Sequence, residues 1–527
     1  MTPEQIQNLI SMAFYLAAVV VIGIVFAQRA SSSVDEYFIG GRGLGPWVAA
    51  FSAEASDMSG WLLMGLPGLA YWTGLADPFW TALGLAAGTY VNWLIVAKRL
   101  RKYSLIANDS ITIPDFFSNR FHEKRPVLLF ISSVFILVFF AVYTASCFKA
   151  GGKLFEAVFG QSYHMMLIMT SLFVFAYTLL GGFWAESVTD FVQAVLMIFA
   201  LVMVVLFGLR SAGGIGAVVE NVKNIPGFLE FFGVARPVID GAGVQLIIDG
   251  APRFAKEAPV YGGLSVLSTL AWGLGYFGMP QVLLRFVAIR KTRELITARR
   301  IATAWCVVSL IAAVFVGILG RALVPSDLML NTATTAENIF VVLSEILFHP
   351  LLAGIVMAGI LAAAMSSSDS YLLIASSAVA KNIYQGILKK EANDAAVMRI
   401  GRVALTAVAV VGLAIAWDAD SKIFDVVSFA WAGFGAAFGP LMLLSLFWKR
   451  TTRAGAIAGI LGGGAMVFLW KLVFNAYLAE TYPIFGLYEL LPAFIFSLIC
   501  IVAVSLISKP PSKEIEDEFY RAKLTSM

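Results

Sequence analysis

Charge, histidine and cysteine are scarce in this chain of 527 residues: 13% is charged, with three histidines and three cysteines. Each scarcity removes a class of function. Cys147, Cys306 and Cys500 lie in separate apolar segments, which gives neither a disulfide framework nor a metal-ligand spacing. His122, His164 and His349 are scattered and no HExxH run occurs, so neither a metalloenzyme nor an intramembrane serine hydrolase finds its constellation. A formal charge of +4 offers no basic nucleic-acid face. The stretch Gly40-Gly41-Arg42-Gly43-Leu44-Gly45 lacks dinucleotide-binding spacing and follows no soluble strand, so it reads as a flexible cytoplasmic loop.

What the chain has in abundance is apolar length. It is 60% hydrophobic with 41 Phe, and its mean hydropathy is +0.85. Blocks able to cross about 30 Å of hydrocarbon recur along nearly all of it, which predicts an all-α polytopic membrane protein with no room for a soluble catalytic domain. The first block is too long and too rich in Val and Ile for a cleaved signal peptide. Apolar blocks between polar punctuation predict thirteen spans, at 6–27, 46–73, 77–97, 127–149, 163–182, 184–208, 260–288, 301–323, 350–378, 402–418, 423–447, 454–474 and 485–507. They form one transmembrane domain over 1–508, followed by a short, polar cytoplasmic tail, 509–527, expected to be solvated.

An odd count puts the termini on opposite sides. Placing the N-terminus outside assigns most of the 37 Lys and Arg, including Lys98-Arg99-Leu100-Arg101-Lys102 and Arg290 to Arg300, to the cytoplasm, as the positive-inside rule requires. The longest outside segment, about 210–258, has room for a short helix. Spans two to six and seven to eleven then form two five-helix sets that begin on opposite sides. That is the arrangement of an inverted repeat, whose binding site lies at the midplane where the first helix of a set is broken.

The second span is the odd one, with Glu54, Asp57, Ser59 and Gly60 inside an apolar run that also holds Gly65, Pro67 and Gly68. An intramembrane carboxylate costs several kcal/mol and faces a cavity, a partner or an ion. Asp57 is therefore either half of a buried ion pair or a cation-coupling group, and Glu54 lies one turn from it. In span nine, Ala363-Ala364-Met365-Ser366-Ser367-Ser368-Asp369-Ser370 admits two readings. Close packing through small residues is one; an all-oxygen site for a small hard cation is the other. Trp272, Tyr276 and Pro280 in span seven, and Tyr143 in span four, fit packing as well as a ligand pocket. Lys149 sits where it can snorkel to the outer interface.

The run Ser52 to Gly68 closely resembles the sodium:solute symporter family, in its bacterial proline-transporting branch. Gly40-Gly41-Arg42, Gly181-Gly182-Phe183 with Thr189, Asp190 and Gln193, Gly275 to Gly278 with Arg285-Phe286, and Met365-Ser366-Ser367 follow in family order. The resemblance implies the leucine-transporter fold, with helices 2–6 and 7–11 as its repeats, and sodium as a co-transported ion. It implies a sodium site from Ala55, Met58, Ala363, Ser366 and Ser367, with Asp57 and Asp190 in cation coupling. The substrate pocket it implies comprises Ser59, Trp61, Tyr143, Trp272, Tyr276 and Pro280, and Arg42 acts at the cytoplasmic gate. Expected partners are proline or a similar solute and membrane lipids, with no nucleic acid and no obligatory protein partner, in a bacterial cytoplasmic membrane. Glu54, Ser367, Met279, Gln281 and Lys149 depart from the family pattern and bear on the choice of cargo. The rival expectations are another small amino acid or a carboxylate as cargo and, in a different class, a membrane solute sensor.

Overall fold

The computed structural model describes residues 1–30, 37–38, 40–180 and 182–524. Gly181 of the glycine motif and the last three residues of the tail lie outside the described residues. Helices α1 (Pro3–Ala30), α2 (Pro46–Asp57), α3 (Leu66–Thr73), α4 (Ala76–Ile106), α5 (Val127–Phe159), α6 (Tyr163–Leu180) and α7 (Phe183–Ala212) form the first half. The second contains α8 (Gly263–Leu270), α9 (Pro280–Ala288), α10 (Leu295–Leu323), α11 (Pro350–Ser377), α12 (Asp394–Ile415) and α13 (Ile423–Phe447). After these come α14 (Arg453–Leu478), α15 (Leu490–Ile507) and α16 (Lys513–Leu524). Among the described residues, ten helices are long and apolar enough to cross a membrane alone. The expected thirteen spans correspond to these ten plus the shorter α6 and the two interrupted segments, α2/α3 and α8/α9.

The interruptions fall at the first helix of each five-helix set, where an inverted repeat needs them. Helix α2 stops at Met58, whose φ of −87° and ψ of 79° leave the helical region, and the chain restarts through a wide turn at Trp61–Gly65. The partner break follows α8: a tight 3₁₀ stretch, Ala271–Phe277, precedes α9, and Pro280 opens α9 in the first turn, where its missing N–H leaves no bond unmade.

Glycine sets how closely the two sets approach. A Cβ on Gly84 would stand 2.6 Å from the Leu270 carbonyl oxygen, and one on Gly88 or Gly273 would collide with backbone of the facing helix. Small residues at such a crossing bring backbones into direct contact, which drives helix association in lipid, where the hydrophobic effect is absent. Helix α11 is buried nearly all round, packed against α1, α2, α5 and α7, so span nine is the central post.

Several boundaries move outward from the hydropathy limits. Helix α12 starts at Asp394, with Asn393 capping the Ala396 N–H at 2.9 Å, because its polar first turns continue the same helix. The loop expected to be flexible is tied down: Leu44 N–H donates to Ala288 O and Arg290 N–H to Leu44 O, at 3.2 and 2.9 Å. The tail is no solvated end. Its helix α16 buries Phe519 and Ala522 against α4, and the Arg99 guanidinium sits 5.0 Å over the Phe519 ring. The segment after α7 carries the short helix Ile215–Val222 and a small hairpin, β1 (Ile247–Ile248) with β2 (Ala251–Pro252), an antiparallel addition to an otherwise helical chain.

Overpacking the glycine crossing should be costly. Gly88→Val should destabilise the detergent-solubilised protein by about 1–3 kcal/mol, seen as a lowered unfolding temperature. Gly216→Ala, where no atom lies within 4 Å of an added Cβ, should leave it unchanged.

Candidate functional site

At the break in span two, backbone carbonyls lose their helical partners and turn to other elements. In an unbroken helix the Ala55 carbonyl would accept from the Ser59 N–H, but that N–H donates to Asp57 O at 3.1 Å. Ala55 O is taken up across the bundle instead, accepting from Ser366 Oγ at 2.8 Å and Ser367 Oγ at 3.1 Å. Ser366 Oγ also lies 3.2 Å from Ala363 O. Four of the five expected sodium ligands thus meet in one cluster of neutral oxygens. All four are fully buried, as is Met58, which adjoins them in sequence and is touched through its sulfur by Ser309 Oγ at 3.7 Å. Oxygen ligands free of imidazole suit a small hard cation.

The Asp57 carboxylate faces the other way, onto the second broken helix. Tyr276 donates its hydroxyl to Oδ2 at 2.8 Å and Gln281 its amide to Oδ1 at 3.4 Å. Asp57 O accepts from Trp61 Nε1 at 3.2 Å, and the Tyr143 hydroxyl stands 3.5 Å away. Ser59 Oγ is buried with no partner among the described residues, a polar atom that a ligand would satisfy. Ser59, Trp61, Tyr143 and Tyr276 therefore converge on the break. The ring of Tyr143 stacks on Tyr371 at 4.4 Å, and that of Tyr276 meets Trp431 edge-on at 5.0 Å. Trp272 stands further along: its carbonyl accepts from Trp431 Nε1 at 2.8 Å and its ring stacks on Tyr488. Pro280 neighbours the Asp57 partner Gln281 as the first residue of α9.

Glu54 is 1% exposed; its Oε1 accepts from Trp93 Nε1 at 3.4 Å, and its Oε2 has no partner among the described residues. Lys149 does not snorkel. Its ammonium donates to the Asp418 carbonyl and to Ser421, tying α5 to the turn before α13. One turn on, Lys153 pairs with Glu337 at 2.7 Å, and Glu337 also accepts from the Ile423 and Phe424 N–H groups at 3.0 and 3.1 Å. A carboxylate thus caps the first turn of α13, where the helix dipole favours it.

Arg42 and Asp190 are separate. Arg42 pairs with Asp109 at 2.7 Å and donates to Ser110 O and Val287 O. Asp190 accepts from Ser52 Oγ at 2.7 Å and from Arg285 at 3.2 Å. Arg285 is the centre of this second cluster: fully buried, it also pairs with Glu186 and donates to Ser370 Oγ at 2.8 Å and Ser52 Oγ at 3.0 Å. Asp369, adjacent to Ser370, accepts that residue's N–H at 2.8 Å. Neither Glu186 nor a role for Arg285 is among the residues expected from the motifs. The signal was available, since an arginine in an apolar segment demands a carboxylate and Glu186 stands four residues before Asp190 on one helix face.

The sequence profile of the sodium:solute symporter family matches residues 37–463. Over 520 residues the chain is 40% identical to the sodium/proline symporter of Staphylococcus aureus strain USA300 / TCH1516, covering 98% of this chain and 96% of that protein. The sodium/proline symporter of strain JH9 matches to the same extent. Among solved structures, a Na⁺-coupled sialic acid symporter in a substrate-bound outward-open state aligns with a TM-score of 0.74 at 18% identity, over 96% of this chain and 99% of that one. A nucleobase-cation-symport-1 family transporter in a closed conformation aligns at 0.52 and 12% identity, over 92% and 98%. The fold is the leucine-transporter type of two opposed five-helix sets, each opening on a broken helix. With the profile spanning most of its length and full-length relatives at 40% identity, the chain belongs to the sodium:solute symporter family.

Proposed function

We propose that this protein is a sodium-coupled symporter that carries L-proline into a bacterial cell by alternating access. The observation that carries the reading is the pair of serine hydroxyls, Ser366 and Ser367, converging on the freed carbonyl of Ala55. Sodium would be held there by Ala55, Met58, Ala363, Ser366 and Ser367. The hydroxyls, which donate to Ala55 O in the structure, would rotate to offer lone pairs. Binding in this place locks α2 to α11 and fixes Asp57 against Tyr276 and Gln281, which shapes the pocket for the solute. Ser59, Trp61, Tyr143, Trp272, Tyr276 and Pro280 would line that pocket, whose aromatic walls suit a pyrrolidine ring. The names of the 40%-identical relatives support proline as cargo.

On the cytoplasmic side, Asp190 and the Arg42–Asp109 pair would open as sodium leaves. The orientation we propose has the N-terminus outside and the C-terminal helix in the cytoplasm, with thirteen crossings in one unit over 1–508. We propose that the cycle involves no enzymatic step and no obligatory protein partner. One sodium entering down about 100 mV releases about 2.3 kcal/mol, and a tenfold sodium gradient adds about 1.4 kcal/mol. At one-to-one coupling that sustains a solute gradient of a few hundredfold. A second reading keeps the fold and changes the cargo to another small amino acid. The Gln281 contact with Asp57 favours it, because that residue departs from the family pattern beside the pocket.

Purified protein in liposomes should concentrate labelled proline under an inward sodium gradient, and not under a proton gradient alone. Accumulation without sodium would overturn the coupling, and unlabelled alanine or another solute outcompeting proline would transfer the reading to that cargo. Ser366→Ala with Ser367→Ala should raise the sodium concentration for half-maximal uptake by about tenfold or more, while proline binding at saturating sodium changes less. Asp57→Cys should lower the maximal rate and weaken sodium dependence. Wild-type sodium dependence in both variants would move the site elsewhere.

A further inference from the structure

The basic run Lys98 to Lys102 has no part in the transport site, and its side chains divide between two directions. Arg101 points inward, its Nε donating to Ile289 O at 2.8 Å, and Arg99 lies over the rings of Phe447 and Phe519. Lys98 and Lys102, four residues apart on α4, share the remaining face, as helical spacing dictates. They open onto a recess of about 360 Å³ whose far wall carries Arg293 and Arg299, at the start of α10. No carboxylate lines it, and among the described residues none of these four cations forms an ion pair; the neighbouring Glu294 is engaged by Arg290 at 2.9 Å. Arg299 rests over the ring of Tyr90 at 5.6 Å.

The recess has an apolar side as well. Trp93, Leu94, Leu295 and Ile296 form it, Thr292 completes the lining, and Leu94 (44%), Ile296 (54%) and the nearby Tyr90 (43%) are exposed. Four uncompensated cations at the end of an apolar wall match a phosphodiester head on acyl chains; a free anion would leave that wall unused. Basic pockets between membrane helices recognise anionic lipid in this way.

We propose that the recess between α4 and the start of α10 binds the phosphate head of an anionic phospholipid, with Lys98, Lys102, Arg293 and Arg299 as its charged contacts and Leu94 and Ile296 against its chains. A lipid there bridges α4 to α10 across the Arg290–Glu294 linker, next to the hydrogen bonds that hold the Leu44 backbone and the Arg101 side chain to the end of α9.

The test is native mass spectrometry of the full-length, detergent-solubilised protein titrated with diphosphatidylglycerol and, separately, with phosphatidylcholine. The wild type should retain the anionic lipid at least about tenfold better, and K98Q/K102Q/R293Q/R299Q should lose that preference. K98R/K102R should keep it. A control with the same charge change at exposed sites, K389Q/R399Q/K509Q/K513Q, should also keep it. Equal loss in the control would reduce the effect to net charge and overturn the site, as would full retention in the recess variant. Displacement of the lipid by millimolar inorganic phosphate would overturn the lipid as occupant. If the quadruple variant unfolds, K98Q/K102Q and R293Q/R299Q are read separately, each expected to bind several-fold more weakly.

Discussion

The arrangement rests on one constraint: in a bilayer, a backbone carbonyl released from its helix needs another donor within the protein. The break after Asp57 releases such groups, and the serines of α11 meet them, so that an irregular stretch of backbone is held by a helix buried along most of its length. The same break turns the Asp57 carboxylate onto Tyr276 and Gln281 of the other broken segment. The two interruptions are therefore tied to each other by a side chain, while the first is tied to the central post by a carbonyl. In the cycle proposed above, a cation placed among those carbonyls and hydroxyls would act on both connections at once, which is how a small ion would order a much larger pocket.

A second set of buried charges lies about one turn along the same elements, towards the start of α2. Arg285 gathers Glu186 and Asp190 from α7 and the hydroxyls of Ser52 and Ser370, joining α2, α7, α9 and α11 through one guanidinium. Removing one partner of such a network strands the rest in an apolar surround, so its members stand or fall together. At the start of α13, Glu337 does two jobs with one carboxylate, pairing Lys153 and capping the helix. These networks place fixed polar contacts on either side of the cluster of neutral oxygens at the break.

Much of this was legible in the residues. Apolar block length located the ten helices long enough to cross a membrane, and Gly65, Pro67 and Gly68 marked the charged second span as irregular. The motif order brought Ala55, Ala363, Ser366 and Ser367 to one place, as found. Hydropathy could not see the ends of α4, α10 and α12, because their polar turns leave the apolar block without leaving the helix. It could not see the docking of α16, because the three buried side chains Ile515, Phe519 and Ala522 are too few to stand out in a polar tail. Nor could it pair Arg285 with Glu186, since the two are 99 residues apart and only the fold makes them neighbours.

The glycine crossing of α4 with the stretch after α8 has a mechanical meaning. Helices separated by a layer of side chains can slide, because side chains change rotamer as the backbones shift. Where Gly84, Gly88 and Gly273 put main chain on main chain, no such layer exists. The two elements are in effect one casting, built to move as a single piece if they move at all. A motion that opens one face of the molecule and closes the other would have to bend outside that casting, and Met58, where the helix is already open, is such a point.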